Sequence, residues 1–228
     1  MEKKINTQNN NLVIAGHLSA DVNVSESGKR ARITVLRNQS KDSDPVAVTL
    51  VIFPDAKGNL NVEGLKKGAA VRVAAFARNA DFVNKDTGET VYGTQFVVKD
   101  IEFIKKGEED DKAVNNDFTL EGHLAADAKS LNGGAVSFVV MRNQGANRKP
   151  VTVRFTMFAK RNGKDVEVPV ESLKKGAAVR VHAYLQANNL VNEETGEKSY
   201  QTSYVVKNVE FITKEAEPAT EEAAADEK

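Results

Sequence analysis

The sequence predicts an all-β chain built from two tandem copies of one small antiparallel domain. Three observations carry that reading. The nonapeptide LKKGAAVRV is spelled twice, at Leu65–Val73 and at Leu173–Val181. The apolar residues in and around it alternate with period two, as half-buried strands do. Glycine-bearing turn segments separate the alternating runs, which suits short strands joined by tight connections.

The repetition extends well beyond nine residues. GHL occurs at Gly16–Leu18 and Gly122–Leu124, and RNQ at Arg37–Gln39 and Arg142–Gln144. VNKDTGE at Val83–Glu89 answers VNEETGE at Val191–Glu197, and FVVKDIEFI at Phe96–Ile104 answers YVVKNVEFI at Tyr204–Ile212. The order is the same in both halves. The units run from 12 to 106 and from 118 to 214, each the size of a small domain. Two copies are too few for a solenoid, so each should close its own core. Residues 1–11, expected to be a flexible N-terminus, and the segments 107–117 and 215–228 flank them.

Strand by strand, the pattern separates a core side from an outer side. In Val151–Phe158, Val151, Val153, Phe155 and Met157 point one way, and Thr152, Arg154, Thr156 and Phe158 the other. In Val179–Leu185 the valines, Ala183 and Leu185 are core, leaving Arg180, His182 and Tyr184 outward. Copy one repeats this. Val46, Val48, Leu50 and Ile52 oppose Ala47, Thr49, Val51 and Phe53, while Arg72, Ala74, Phe76 and Arg78 share one face. The copy-one strands are expected at Leu12–Leu18, Ala31–Arg37, Val46–Phe53, Val71–Arg78 and Tyr92–Lys99. KDTGE and EETGE read as hairpin tips. LKKG reads as a turn, at most a single helical one, whose glycine admits positive φ before a core strand. Short strands in about a hundred residues fit a closed barrel or a sandwich.

Composition narrows the function classes. The chain has no cysteine, which excludes disulfides and thiolate metal sites. No apolar run follows basic residues at the N-terminus, and none is long enough for a membrane span. A cytoplasmic, non-membrane protein is expected. The zero formal net charge conceals a pattern: lysine and arginine outnumber aspartate and glutamate in both copies, and acids dominate 107–117 and 215–228. Those connectors hold too little apolar surface to order themselves and are expected to be flexible. His17 and His123 occupy one repeated position, and no nucleophile, phosphate-loop or zinc motif occurs. No enzyme activity, metal or cofactor is expected.

The outer faces carry the functional signal. Arginine, threonine and an aromatic ring recur on one side of adjacent strands in both copies. Together they would make a basic floor with rings for bases, the design of single-stranded nucleic-acid binding. Phe53 and Phe158 could equally end their strands as covers for a barrel mouth.

These residues resemble a known family. IAGHLSAD at Ile14–Asp21 and LEGHLAAD at Leu120–Asp127, ITVLRNQ at Ile33–Gln39, the apolar runs to Phe53 and Phe158, LKKG, the glycine-tipped hairpin and VVKDIEFI follow the order of bacterial single-stranded-DNA-binding proteins. The resemblance covers nearly all of both copies. It implies two OB-fold-like five-stranded antiparallel barrels, with at most a short helical turn between strands three and four. It implies non-catalytic, largely sequence-independent binding of single-stranded DNA in replication, repair or DNA transfer. Carried over by position, the binding residues are Thr49 and Arg154, Phe53 and Phe158, Arg72 and Arg180, and Phe82 on the hairpin, where copy two offers Leu190. Phe76, Arg78 and Tyr184 share the outward face of strand four. The family's tryptophans are absent. Four barrels per assembly would require a homodimer. Replication and repair proteins are implied as partners through an acidic tail ending in Phe; this tail ends AAADEK, which counts against that route. The alternative is an OB-derived protein-interaction or scaffold module with few nucleic-acid contacts.

Overall fold

The computed structural model describes residues 9–39, 44–84, 87–91, 93–105, 107–108, 115–161, 164–165, 168–191, 196 and 198–212. The expected acidic tail, Tyr92 and most of the acidic connector lie outside the described residues, and so does the Leu190 side chain. Copy one contains β1 (Asn10–Leu18), β2 (Asn23–Val24), β3 (Ala31–Arg37), β4 (Val46–Ile52), β5 (Ala70–Asn79), β6 (Phe82–Val83), β7 (Thr90–Val91) and β8 (Thr94–Phe103). Copy two contains β9 (Asn116–Leu124), β10 (Lys129–Ser130), β11 (Val136–Arg142), β12 (Val151–Met157), β13 (Lys160–Arg161), β14 (Lys164–Asp165), β15 (Ala178–Val191) and β16 (Lys198–Phe211).

Each copy closes a five-stranded barrel. In copy one β1 pairs with β5, β5 with β8, β8 with β4, β4 with β3, and β3 returns to β1. Copy two repeats the circuit through β9, β15, β16, β12 and β11. Only the β4–β8 and β12–β16 closures are parallel. The first strand must serve two partners by bending, and the GHL glycine permits the close approach. A Cβ on Gly16 would lie 2.2 Å from the Leu36 carbonyl oxygen, and one on Gly122 2.4 Å from that of Met141.

The repeated nonapeptide is a barrel-closing device. Gly68 and Gly176 have φ of +82° and +84°, values that suit glycine. Their N–H groups donate to Leu18 O and Leu124 O, each at 2.8 Å. The aspartate of the preceding GHL segment reaches the same loop: Asp21 accepts from Lys67 N and Asp127 from Lys175 N, both at 2.8 Å. Leu65 and Leu173 enter the core, and the valines behind them line it.

The core alternation agrees with expectation except at Val51, expected on the outer face but only 5% exposed. Closure explains the difference, because β8 lies alongside and pairs Val51 with Val97. The fifth strand, expected at Tyr92–Lys99, runs from Thr94 to Phe103. The chain between β4 and β5 passes through turns without a helix, and in copy two a β13–β14 ladder lies in that interval.

The barrels join through their first strands. β1 and β9 pair antiparallel, with Leu12 opposite Phe118, residues that correspond in the two copies. Asn10 and Asn116, in the expected flanking segments, are therefore strand residues. Phe118 is fully buried. It meets Phe96 edge-on at 5.3 Å, Tyr204 at 5.6 Å and Phe155 stacked at 6.0 Å. The core is continuous across the junction.

Burial in this cluster pushes the Tyr204 phenol up to about 12 from an ordinary 10.0. The unfolded chain then loses its proton first as pH rises. Stability tied to this group is complete below pH 10 and is lost between there and about 12. Tyr204→Phe is expected to remove an alkaline loss on the order of 2 kcal/mol. Urea unfolding of both chains at neutral and high pH checks this.

Candidate nucleic-acid interface

The outward residues expected to form one floor divide into two settings. The first is a pair of rim stations where β4 and β12 end. Phe53 follows β4 and is 38% exposed, and Phe158 follows β12 and is 46% exposed. Neither ring is buried as a barrel plug. The Arg78 guanidinium carbon lies 5.6 Å from the Phe53 ring centroid, a cation–π arrangement. Thr49 is exposed on the same strand and shares a 3.1 Å hydroxyl contact with Thr34. In copy two the corresponding residue is Arg154, exposed and cross-strand from Val139.

The second setting is the outward face around the β1–β9 junction. Arg72 donates to Glu102 at 2.8 Å and to Asn115 at 2.9 Å. Arg180 donates to Glu121 at 3.0 Å and to Glu210 at 3.2 Å. The Glu121 hydrogen bond, ahead of the contribution of Glu210, raises the Arg180 pKa. His182 stands 3.4 Å from Glu210 and 3.1 Å from the Thr119 hydroxyl. Phe76 and Tyr184 are partly buried on this face. Lys99, 5.6 Å from the Phe76 ring, donates to Asn10 O and Asn11 Oδ1, and burial lowers its pKa. Lys207 makes the matching contacts with Asn116 O and Asp117. Arg72 and Arg180 thus lie outward as expected, but in ion pairs with neighbouring carboxylates.

The copies also differ beyond the rim. Phe53 and Phe103 wall an open groove of about 440 Å³ that includes Asp55, Glu63 and Asp100. Against these three carboxylates the groove sets one lysine, Lys99, so its wall beside the copy-one ring is net acidic and opposes a polyanion. Thr49 adds no charge. Copy two has Arg154 on its strand, with Arg148 and Lys149 exposed in the loop before it.

Phe82 is 59% exposed on the β6–β7 ladder, opposite Val91. The neck of this hairpin rests on copy two. Asn79 Nδ2 donates to Pro150 O at 3.0 Å, Asn79 N to Gln144 Oε1 at 3.4 Å, and Thr94 Oγ1 to Thr152 O at 3.0 Å. The Asn79 side-chain hydrogen bond, helped by Gly93 N–H and the charge of Lys149, holds Asp81 below its ordinary value. The repeated RNQ segment acts between the copies. Gln144 donates to Ala77 O and Gln39 to Leu185 O, each reaching into the other copy. The repeated RNQ was the available signal. Its arginines donate within their own barrels, Arg37 to Ala15 O and Arg142 to Glu121 O.

No family model and no curated protein sequence matches the chain. Among solved structures, the single-stranded DNA binding protein of Thermus aquaticus matches with a TM-score of 0.60 at 15% identity, over 92% of this chain and 96% of that one. The two chains share one fold. A deletion mutant of that protein matches at 14% identity with a TM-score of 0.59, covering 92% of this chain and 97% of that one. The mitochondrial single-stranded DNA binding protein Rim1 of S. cerevisiae is 24% identical, covering 42% of this chain and 96% of its own, with a TM-score of 0.34. The Thermus aquaticus match spans both barrels of this chain. Among the described residues no helix is long and apolar enough to cross a membrane, and no group of histidine, aspartate and glutamate could hold a metal ion.

Proposed function

We propose that the chain binds single-stranded DNA without catalysis and largely without sequence preference, coating exposed strands in replication, repair or DNA transfer. One observation carries this reading. Exposed rings stand at corresponding strand ends in the two barrels: Phe53 lies beneath Arg78, and Phe158 follows β12, on which Arg154 is exposed four residues earlier. A ring at a strand end offers a stacking surface to any base, and an arginine beside it serves the phosphate. The shared fold with a DNA-binding protein of Thermus aquaticus supports the reading.

Copy two is the stronger half, having Arg154 where copy one has Thr49. Two arginines of copy two should behave differently. Arg154→Ala is expected to weaken oligo-dT binding by about two- to tenfold and flatten the salt dependence by about 0.7 in log–log slope, the share of one phosphate. Arg180→Ala should leave affinity within about twofold, because Glu121 and Glu210 already neutralise that charge. Fluorescence titration of both variants tests the assignment; equal large losses would contradict it.

We also propose a homodimer, which would bring four barrels together. A single-chain mass by light scattering would refute that. The scaffold alternative draws support from the ion-paired state of Arg72 and Arg180, and it requires that the parent chain not bind oligo-dT.

A further inference from the structure

We propose that the DNA track on copy two is composite: its floor strand β12 is continued by the hairpin of copy one, making Phe82 a station of copy two's track. This rests on the function proposed above.

Chain order would assign Phe82 to the Phe53 floor of its own copy, but the hydrogen bonds at its neck point elsewhere. Asn79, three residues before Phe82, holds Pro150 O just ahead of β12, and Thr94 on the returning arm holds Thr152 O within it. Thr152 and Arg154 alternate onto one side of β12, Phe158 follows the strand's end, and all three are exposed. A strand lying on Phe158 and Arg154 and continuing toward Thr152 therefore reaches the Thr94–Asn79 neck. Phe82 stands beyond it, more than half exposed on the β6–β7 ladder. Arg148 and Lys149 precede Pro150 and are exposed at this crossing, where phosphates would pass.

The crossing is built into the fold. Thr202 Oγ1 donates to Ala47 O at 3.2 Å, matching the Thr94–Thr152 bond with the copies exchanged. Gln39 and Gln144 add the crossed pair of bonds to Leu185 O and Ala77 O. Those same carbonyls also accept from Asn116 and Asn10 of their own copies. Each hairpin arm is thus held simultaneously by its own first strand and by the other copy, which fixes the arm beside the foreign floor.

The test uses the full chain and a labelled oligo-dT of about eight nucleotides, within the footprint of one barrel of this fold. Phe82→Ala is measured in three backgrounds: the parent, Arg154→Ala/Phe158→Ala, and Phe53→Ala. The ring is exposed, so the substitution should leave the thermal melt unchanged. A composite track predicts about tenfold weaker binding in the parent and in the Phe53→Ala background. With Arg154 and Phe158 removed, the loss should shrink to under about twofold, because the short strand then lies elsewhere. A loss that survives removal of Arg154 and Phe158 but disappears with Phe53→Ala overturns the composite track and leaves DNA binding standing. No loss in the parent also overturns it. A parent chain that fails to bind refutes the underlying function instead.

Discussion

Phe118→Ala is expected to lower the unfolding free energy by about 3–5 kcal/mol, the usual range for truncating a buried phenylalanine. The site predicts the upper part of that range. Phe118 is fully buried, and its ring touches Phe96 of copy one as well as Phe155 and Tyr204 of copy two. Its neighbours belong to two barrels and to a β1–β9 ladder that fixes their spacing, so they have little freedom to collapse into the space. A protein of ordinary stability, about 5–15 kcal/mol, would lose a large share of it. Urea unfolding followed by far-ultraviolet circular dichroism measures the change. A loss below about 1 kcal/mol would mean the two barrels are not held by a common core.

Phe158→Ala is expected to weaken oligo-dT binding by about fivefold to a hundredfold, the effect of losing one base stack of about 1–3 kcal/mol. The ring carries no charge, so the salt dependence should stay parallel to that of the parent. The equivalent change at Phe53 should cost less. That ring already lies under Arg78 and beside a groove containing Asp55, Glu63 and Asp100, which disfavours an approaching phosphate. Equal losses at both positions would show that the carboxylates of copy one do not matter to binding.

Much of the architecture could be read from local patterns. Period-two alternation placed the core side of β12 and β15, since a strand with one buried face must alternate. The duplicated GHL and LKKG segments marked backbone positions where glycine is required. What could not be read depended on distant partners. Val51 looks like any outward residue until the parallel closure with β8 covers it. Arg72 and Arg180 share the outward pattern of Arg154, and only folding brings Glu102, Glu121 and Glu210 against them. The RNQ glutamines carried a repeat signal without a meaning, because their acceptors belong to the opposite copy. The resemblance put Phe82 on the hairpin, but its exposure and the floor its hairpin adjoins depend on the fold.

If the rim rings and arginines bind unpaired nucleotides through stacking and phosphate contact together, binding must depend on both base and salt. The most direct test is titration of the full chain with oligo-dT across a series of salt concentrations. Binding should weaken as salt rises, with a log–log slope of several units, near −0.7 for each phosphate neutralised. Absence of binding at low salt, or binding indifferent to salt, would contradict that mode of binding.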